Sequence, residues 1–294
     1  NAAELTVTGG ASIAFTGEEM VNTGNGWSMN DGLTFAATTE MDNGWDVTAT
    51  QIIDSSDGAS GVIMDTRILK IDMGDQGTLT FSGTGGSSVL NAVDDTTPTA
   101  YEESWDVVSS ASAIPGGTGG DNMFHYSNAS LMDGVKVSVS YTPSSGGATS
   151  VESSADYGIE YTGIDGLTVG YAAGENNGAA ATLELSNMYA RYSMDAFTVG
   201  LTTSESDSET ADADKEFTAM GISYAVSEEL SVSLNTSTID YENSSLSDQD
   251  ATGISVSYVM GSMTVKAARN DVDNIAGTAA ANRSAYDISL AFAF

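Results

Sequence analysis

The chain alternates apolar and polar positions almost from end to end. From Ala285 to Phe294, one face carries Tyr286, Ile288, Leu290, Phe292 and Phe294, and the other carries Ala285, Asp287, Ser289, Ala291 and Ala293. Leu5, Val7, Ile13 and Phe15 alternate in the same way with Thr6, Thr8, Ser12 and Thr16. So do Leu230, Val232 and Leu234 with Ser231, Ser233 and Asn235. A period of two puts successive side chains on opposite faces of a strand, so each segment has one apolar and one small polar face. About sixteen strands can be read. They span 4–15, 32–40, 45–54, 62–73, 77–83, 121–131, 135–142, 154–162, 167–173, 182–193, 197–204, 216–226, 230–239, 250–260, 263–270 and 283–294.

The connections fall into two classes. Tight ones rich in Gly, Asp and Asn, such as Met41-Asp42-Asn43-Gly44, Met132-Asp133-Gly134 and Gly261-Ser262, read as hairpin turns. They alternate with longer, more acidic connections, which puts all turns at one end and all loops at the other. An even strand count with short turns at one end and long loops at the other marks a transmembrane β-barrel, its turns periplasmic and its loops outside. Strands use roughly 160 residues and turns roughly 25, leaving about 110 for the loops. In a bilayer every backbone polar group needs an internal partner, and closure is the β solution. The expected fold is therefore all-β: one antiparallel barrel domain over 1–294. Aromatic residues near strand ends suggest two interfacial girdles. Trp45, Tyr161, Tyr192, Phe197, Tyr224, Tyr258 and Phe294 fall on the turn side; Tyr126, Tyr141 and Tyr171 fall on the loop side. A soluble or surface-attached β-structural protein would also alternate, and is the competing reading.

Composition narrows the choice. The 294 residues include 41 acidic and 8 basic side chains, a net charge of -33, and no cysteine. Nucleic acid as a partner is excluded by the lack of a basic surface, and a cysteine-ligated metal by the lack of ligands. No run of 18 or more apolar residues offers a transmembrane helix. Charged residues are only 17% of the chain, low for a soluble coat but natural for a wall facing lipid. The start, Asn1-Ala2-Ala3-Glu4, has neither a basic nor an apolar leader region, so an export signal is either lacking or already removed.

Three stretches then resemble the general diffusion porins of the Gram-negative outer membrane, closest to the alphaproteobacterial sixteen-stranded type. Gly74-Asp75-Gln76-Gly77-Thr78-Leu79-Thr80-Phe81-Ser82-Gly83 resembles the family's turn-strand run before its constriction loop. Asn122-Met123-Phe124-His125-Tyr126 through Leu131, Gly134, Val135 and Tyr141 resembles the hairpin after it, and Phe294 ends the chain as such barrels end. The resemblance implies a homotrimer and passive passage of small hydrophilic solutes and ions, with no catalysis. A substrate-specific channel remains an alternative. It also implies that residues 84–120 fold inward as the constriction. Their acids Asp94, Asp95, Glu102, Glu103 and Asp106 would then face basic residues on the opposite wall. Trp105, Tyr101 and Ile114 would pin the loop, and Gly116-Gly117 and Gly119-Gly120 would ease its return.

Parity puts Lys70, Lys136, Lys266 and Arg283 on the lumen face. Arg191 shares a face with Ser193 and Tyr189 and is a weaker candidate. Arg67 shares parity with Leu69 and Ile71, which calls for a bulge, a place at the rim or a subunit interface. This basic set is thin, so cation preference is expected. His125 and Ser127 share one face, as a base and nucleophile would, but a lumen-lining histidine is the blander and favoured reading. Acidic groups such as Glu205, Asp207, Glu209, Asp212 and Asp214, Asp248 with Asp250, and Asp271 with Asp273 could hold Ca²⁺ or Mg²⁺, bridging to lipopolysaccharide. Solvated loop charge is the plainer account of them.

Overall fold

A computed structural model describes residues 3–21, 24–55, 63–112, 119–144, 152–177 and 181–294. Ile114 and Gly116-Gly117 lie outside the described residues. The sixteen strands are β1 Glu4–Glu18, β2 Trp27–Glu40, β3 Asp46–Ser55, β4 Ile63–Asp72, β5 Thr78–Thr84, β6 Met123–Met132, β7 Val135–Thr142, β8 Ser154–Ile164, β9 Leu167–Asn177, β10 Thr182–Met194, β11 Phe197–Ser208, β12 Lys215–Ala225, β13 Leu230–Tyr241, β14 Gln249–Met260, β15 Met263–Asp273 and β16 Arg283–Ala293. Each pairs antiparallel with the next, and β16 closes on β1 in one barrel. Gly9 and Phe294 complete the seam, with backbone hydrogen bonds of 2.7 and 2.9 Å. Closure leaves no edge strand.

The alternating pattern becomes two faces. Outward rows such as Val7, Phe35 and Ile159, Tyr171, Met188 follow the cross-strand register. Leu5 is 64% exposed and Met188 59%, a cost in water that hydrocarbon removes. The inward face is mostly Ser, Thr, Asn and Gly. Tight turns rely on left-handed glycines, as at Gly134 (φ 70°) and Gly261 (φ 60°).

Several strands run further toward the loop end than the alternation indicated. β2 begins at Trp27 rather than 32, and β11 reaches Ser208, so Glu205 and Asp207 belong to a strand rather than a loop. The reason is physical: above the apolar band both faces can be polar, so the ladder continues where the period fades. At the loop end Phe15 packs against Trp27 and Tyr286, with ring centroids 5.0 and 6.1 Å apart. At the turn end Phe197 stacks on Tyr224 at 4.4 Å. Tyr126 departs from its expected loop-side place: its hydroxyl donates to the Gln76 carbonyl at 2.8 Å, in the turn before β5. Parity identified its face correctly, but height depends on how far β6 is sheared against β5.

Arg67 keeps the outward parity of Leu69. The β4–β5 register does shift between Arg67 and Ile68, but the extra residue is Gly83 on β5, and the extra residue on β4 itself is Asp65, so Arg67 to Asp72 keep one parity.

Candidate pore and constriction

The described part of the segment after β5, residues 85–112, runs inside the barrel, and the small polar lumen face is what holds it. Val89 N donates to Ser140 Oγ at 3.0 Å, and Leu90 N to Asp156 Oδ2 at 2.9 Å. The Thr96 and Thr202 hydroxyls lie 2.5 Å apart. Ala100 N and Tyr101 N donate to Ser233 Oγ and Ser255 Oγ, each at 3.0 Å. Asn270 Nδ2 donates to the Glu103 carbonyl at 2.6 Å, and Ser112 N to Gln249 Oε1 at 2.8 Å. A buried loop needs partners for its backbone groups, and these lumen side chains supply them.

Apolar contacts add to the hold. Trp105, 4% exposed, meets Phe217 edge to face at 5.1 Å beside Ala219 and Ile239. Val89 and Leu90 pack on Ala172 and Leu185, and Val108 packs on Ala251, Val272 and Ala285. Gly221 makes room: a Cβ there would sit 2.6 Å from Thr97 Cγ2 and 2.7 Å from the Pro98 carbonyl oxygen. The loop thus lies along β7–β16 and reaches Glu18 of β1.

The five loop acids crowd together. Carboxylate oxygens of Glu102, Glu103 and Asp106 all lie within 4.8 Å of one another, and Glu103 N donates to Asp106 Oδ2 at 2.8 Å. Burial, joined by Asp106, pushes the Glu103 carboxyl up to about 9. Burial and the neighbouring Asp94 and Asp106 push Asp95 up to about 6. Burial also raises Asp94 and Glu102. Among the described residues this is the group of three acids close enough to share a cation; the outer acids named from sequence do not converge so. Oxygen-only donors would suit Ca²⁺ or Mg²⁺.

Two of the four basic residues read from parity do not stand across from the loop. Lys266 and Arg283 do face the lumen, but under the loop rather than opposite it. Lys266 Nζ lies 5.0 Å from the centre of the Tyr101 ring. Arg283 Nη1 bonds Glu18 Oε1 at 3.1 Å and the Ser109 carbonyl at 3.3 Å, so it ties the loop to β1. Lys70 sits on β4, 3.8 Å from Asp72. Lys136 faces the lumen from β7, opposite Glu160 in register. Arg191 faces the lumen too, beside Pro98, both within 3.1 Å of where a Gly200 Cβ would stand. His125 Nδ1 lies 3.2 Å from the Ser87 carbonyl oxygen, at the root of the loop. Sequence reasoning missed Asp156, Gln249 and Asn270 as loop anchors, and with them Asn235, whose Nδ2 donates to the Pro98 carbonyl at 3.2 Å, and Asp287, whose Oδ1 accepts the Tyr101 hydroxyl at 2.9 Å. Their one signal was size: polar side chains larger than Ser or Thr at lumen parity.

Residues 1–245 match the family model described as Gram-negative porin. No curated protein sequence matches the chain. Among solved structures, a mutant of Rh. blastica porin is similar with a TM-score of 0.74 at 16% identity, covering 99% of this chain and 100% of that one. OmpT, an outer membrane protein of Vibrio cholerae folded in vitro and solved in its trimer form, is similar with a TM-score of 0.74 at 12% identity, with 100% of each chain covered. At such identities these likenesses show the fold.

Proposed function

We propose that this chain, which belongs to the Gram-negative porin family, is a passive, cation-preferring pore for small hydrophilic solutes and ions in the outer membrane. One observation carries the reading: the loop bearing the five acids docks on β7–β16, so the open lumen lies between it and β2–β4. Among the described residues along that wall the inward charges are Glu40, Asp46, Asp54 and Asp72 against Lys70. Both sides of the passage are then acidic, which raises local cation concentration. Reconstitution into liposomes tests the channel itself. Swelling should be fast in a small sugar and slow in a large one; liposomes that admit neither would end the proposal.

The assembly we propose is a homotrimer joined through the outer face of β1–β4. Arg67 stands there at mid-strand beside Gln51, among the outward Leu69, Ile53 and Met64. A lipid-facing Arg near the bilayer midplane costs about 2–4 kcal/mol. Neighbouring subunits covering that face would remove the cost.

The acids on the outer rim favour a role for divalent cations. Glu184 stands directly opposite both Glu175 and Asp207, and Glu216 opposite both Glu205 and Asp240. Like charges directly across a ladder repel. Ca²⁺ or Mg²⁺ shared with anionic lipopolysaccharide would neutralise them. Chelation should lower the oligomer's melting temperature, and an unchanged temperature would remove the idea.

A further inference from the structure

We propose that the outer connection between β15 and β16, residues 274–282, is a latch on the constriction loop. Its release at the cell surface frees the stretch 107–112 and shifts the current through the pore. The shift in current rests on the channel reading; the latch itself does not.

One carboxamide forms the catch. Gln249 begins β14 and is 1% exposed. Its Oε1 accepts Ser112 N of the constriction loop at 2.8 Å and Ala276 N of the outer connection at 3.0 Å. Its Nε2 donates to the Ser112 carbonyl at 2.9 Å. The reverse orientation of the amide would set an NH₂ group against two N–H donors, so the partners fix it. A single buried side chain thus holds both segments, and a departure of either breaks a buried hydrogen bond. Apolar contact joins the same two: Ile275 shares a cluster with Val107, Val108 and Ala111 of the constriction loop.

The outer connection is held in a shape it would not keep by itself. Asn274, Ala276 and Ala280 have φ of 53°, 51° and 60°. Asparagine tolerates the left-handed region, but an alanine Cβ there crowds the following carbonyl oxygen. Such backbone persists where its surroundings over-determine it. Asn274 Oδ1 accepts Ala280 N at 3.0 Å, and Asn274 Nδ2 donates to the Asp248 carbonyl at 3.0 Å. Ser247 N donates to the Gly277 carbonyl at 2.9 Å. Docked, the connection is strained but bonded. Released, it relaxes two alanines and exchanges its bonds for water. These are two states of one segment, and Gln249 biases it toward the docked one.

Release is partial. The Tyr241 hydroxyl still donates to Ser112 Oγ at 3.1 Å, and Arg283 still reaches the Ser109 carbonyl. Trp105 keeps its place on Phe217. The expected result is a sub-level of the current rather than a lost constriction.

The test changes residues outside the constriction loop. The Asn274 side chain bonds Asp248 and Ala280, so Asn274→Ala should loosen the latch without removing a contact to that loop. Ala276→Gly removes a strained Cβ and should tighten it. Amide hydrogen exchange of the assembled protein in detergent reads the latch directly. Over residues 103–112 it should quicken about five- to tenfold with Asn274→Ala, as a lost buried hydrogen bond implies. With Ala276→Gly it should slow about threefold. Exchange over 88–93, at the loop's other end, should stay unchanged. In planar bilayers, the time spent away from the main conductance level should rise with the first variant and fall with the second. Were Asn274→Ala not to assemble, Ala276→Gly decides. Exchange over 103–112 that ignores the substitutions, or that moves together with 88–93, overturns the latch. A current record that ignores substitutions which do alter exchange overturns its effect on the pore. Protein that shows the exchange changes yet carries no current overturns the channel reading instead.

Discussion

Raising the pH through 6 should make the pore more cation-selective, and one carboxyl group should account for most of the change. Asp95 is pushed up to about 6 by burial and by Asp94 and Asp106. Below that pH it is neutral; above it each pore gains a negative charge. For an ion passing about 6 Å away in water the interaction is about 0.7 kcal/mol. Screening at 0.1 M, with a Debye length of about 10 Å, leaves about 0.4 kcal/mol. That is roughly a doubling for cations and a halving for anions, so the permeability ratio should rise about fourfold. A second rise should come near pH 9, where Glu103 ionises. The assay is the zero-current potential across a planar bilayer in a low-salt KCl gradient at pH 5, 7.5 and 10. Asp95→Asn should abolish the lower step and Glu103→Gln the upper one. In molar salt both steps should nearly vanish. A lower step that survives Asp95→Asn, or selectivity that falls with pH, would refute the reasoning. Loop stability should move the opposite way. Both groups hold their protons more tightly in the docked loop than in the unfolded chain, so docking is strongest at low pH. It weakens between the ordinary carboxylate range and the raised values, and open-channel noise should grow toward pH 10.

The alternation of residues made the fold legible because bilayer and lumen impose opposite demands on neighbouring positions. Val7 and Thr8 suffice to tell outside from inside, and the same parity placed Lys70, Lys136, Lys266 and Arg283 on the lumen face. Parity is silent about height and about partners far along the chain. Tyr126 went to the wrong rim for the first reason. Lys266 and Arg283 illustrate the second: their engagement with Tyr101 and the Ser109 carbonyl follows from where a long loop comes to rest. The loop acids were conspicuous by composition, but their crowding depends on Trp105 and Asn270 drawing Glu103 onto the wall.

Three further outcomes follow from the packing. Trp105→Ala should remove about 3–5 kcal/mol of loop anchoring; single-channel conductance and noise should rise while the barrel still runs as a heat-modifiable band. Gly221→Val would collide with Thr97 and Pro98 and should displace the loop's middle, enlarging the size limit in liposome swelling. Arg67→Glu puts an acid at the centre of the proposed subunit face, and should shift the detergent-resistant oligomer toward monomer on gels without abolishing conductance.

The most direct test of a cation-preferring pore is the zero-current potential of the purified protein at neutral pH under a KCl gradient. The account predicts stepwise conductance in multiples of three and a potential of cation-selective sign. An anion-selective sign would contradict the charge argument, and a bilayer that stays silent would contradict the channel.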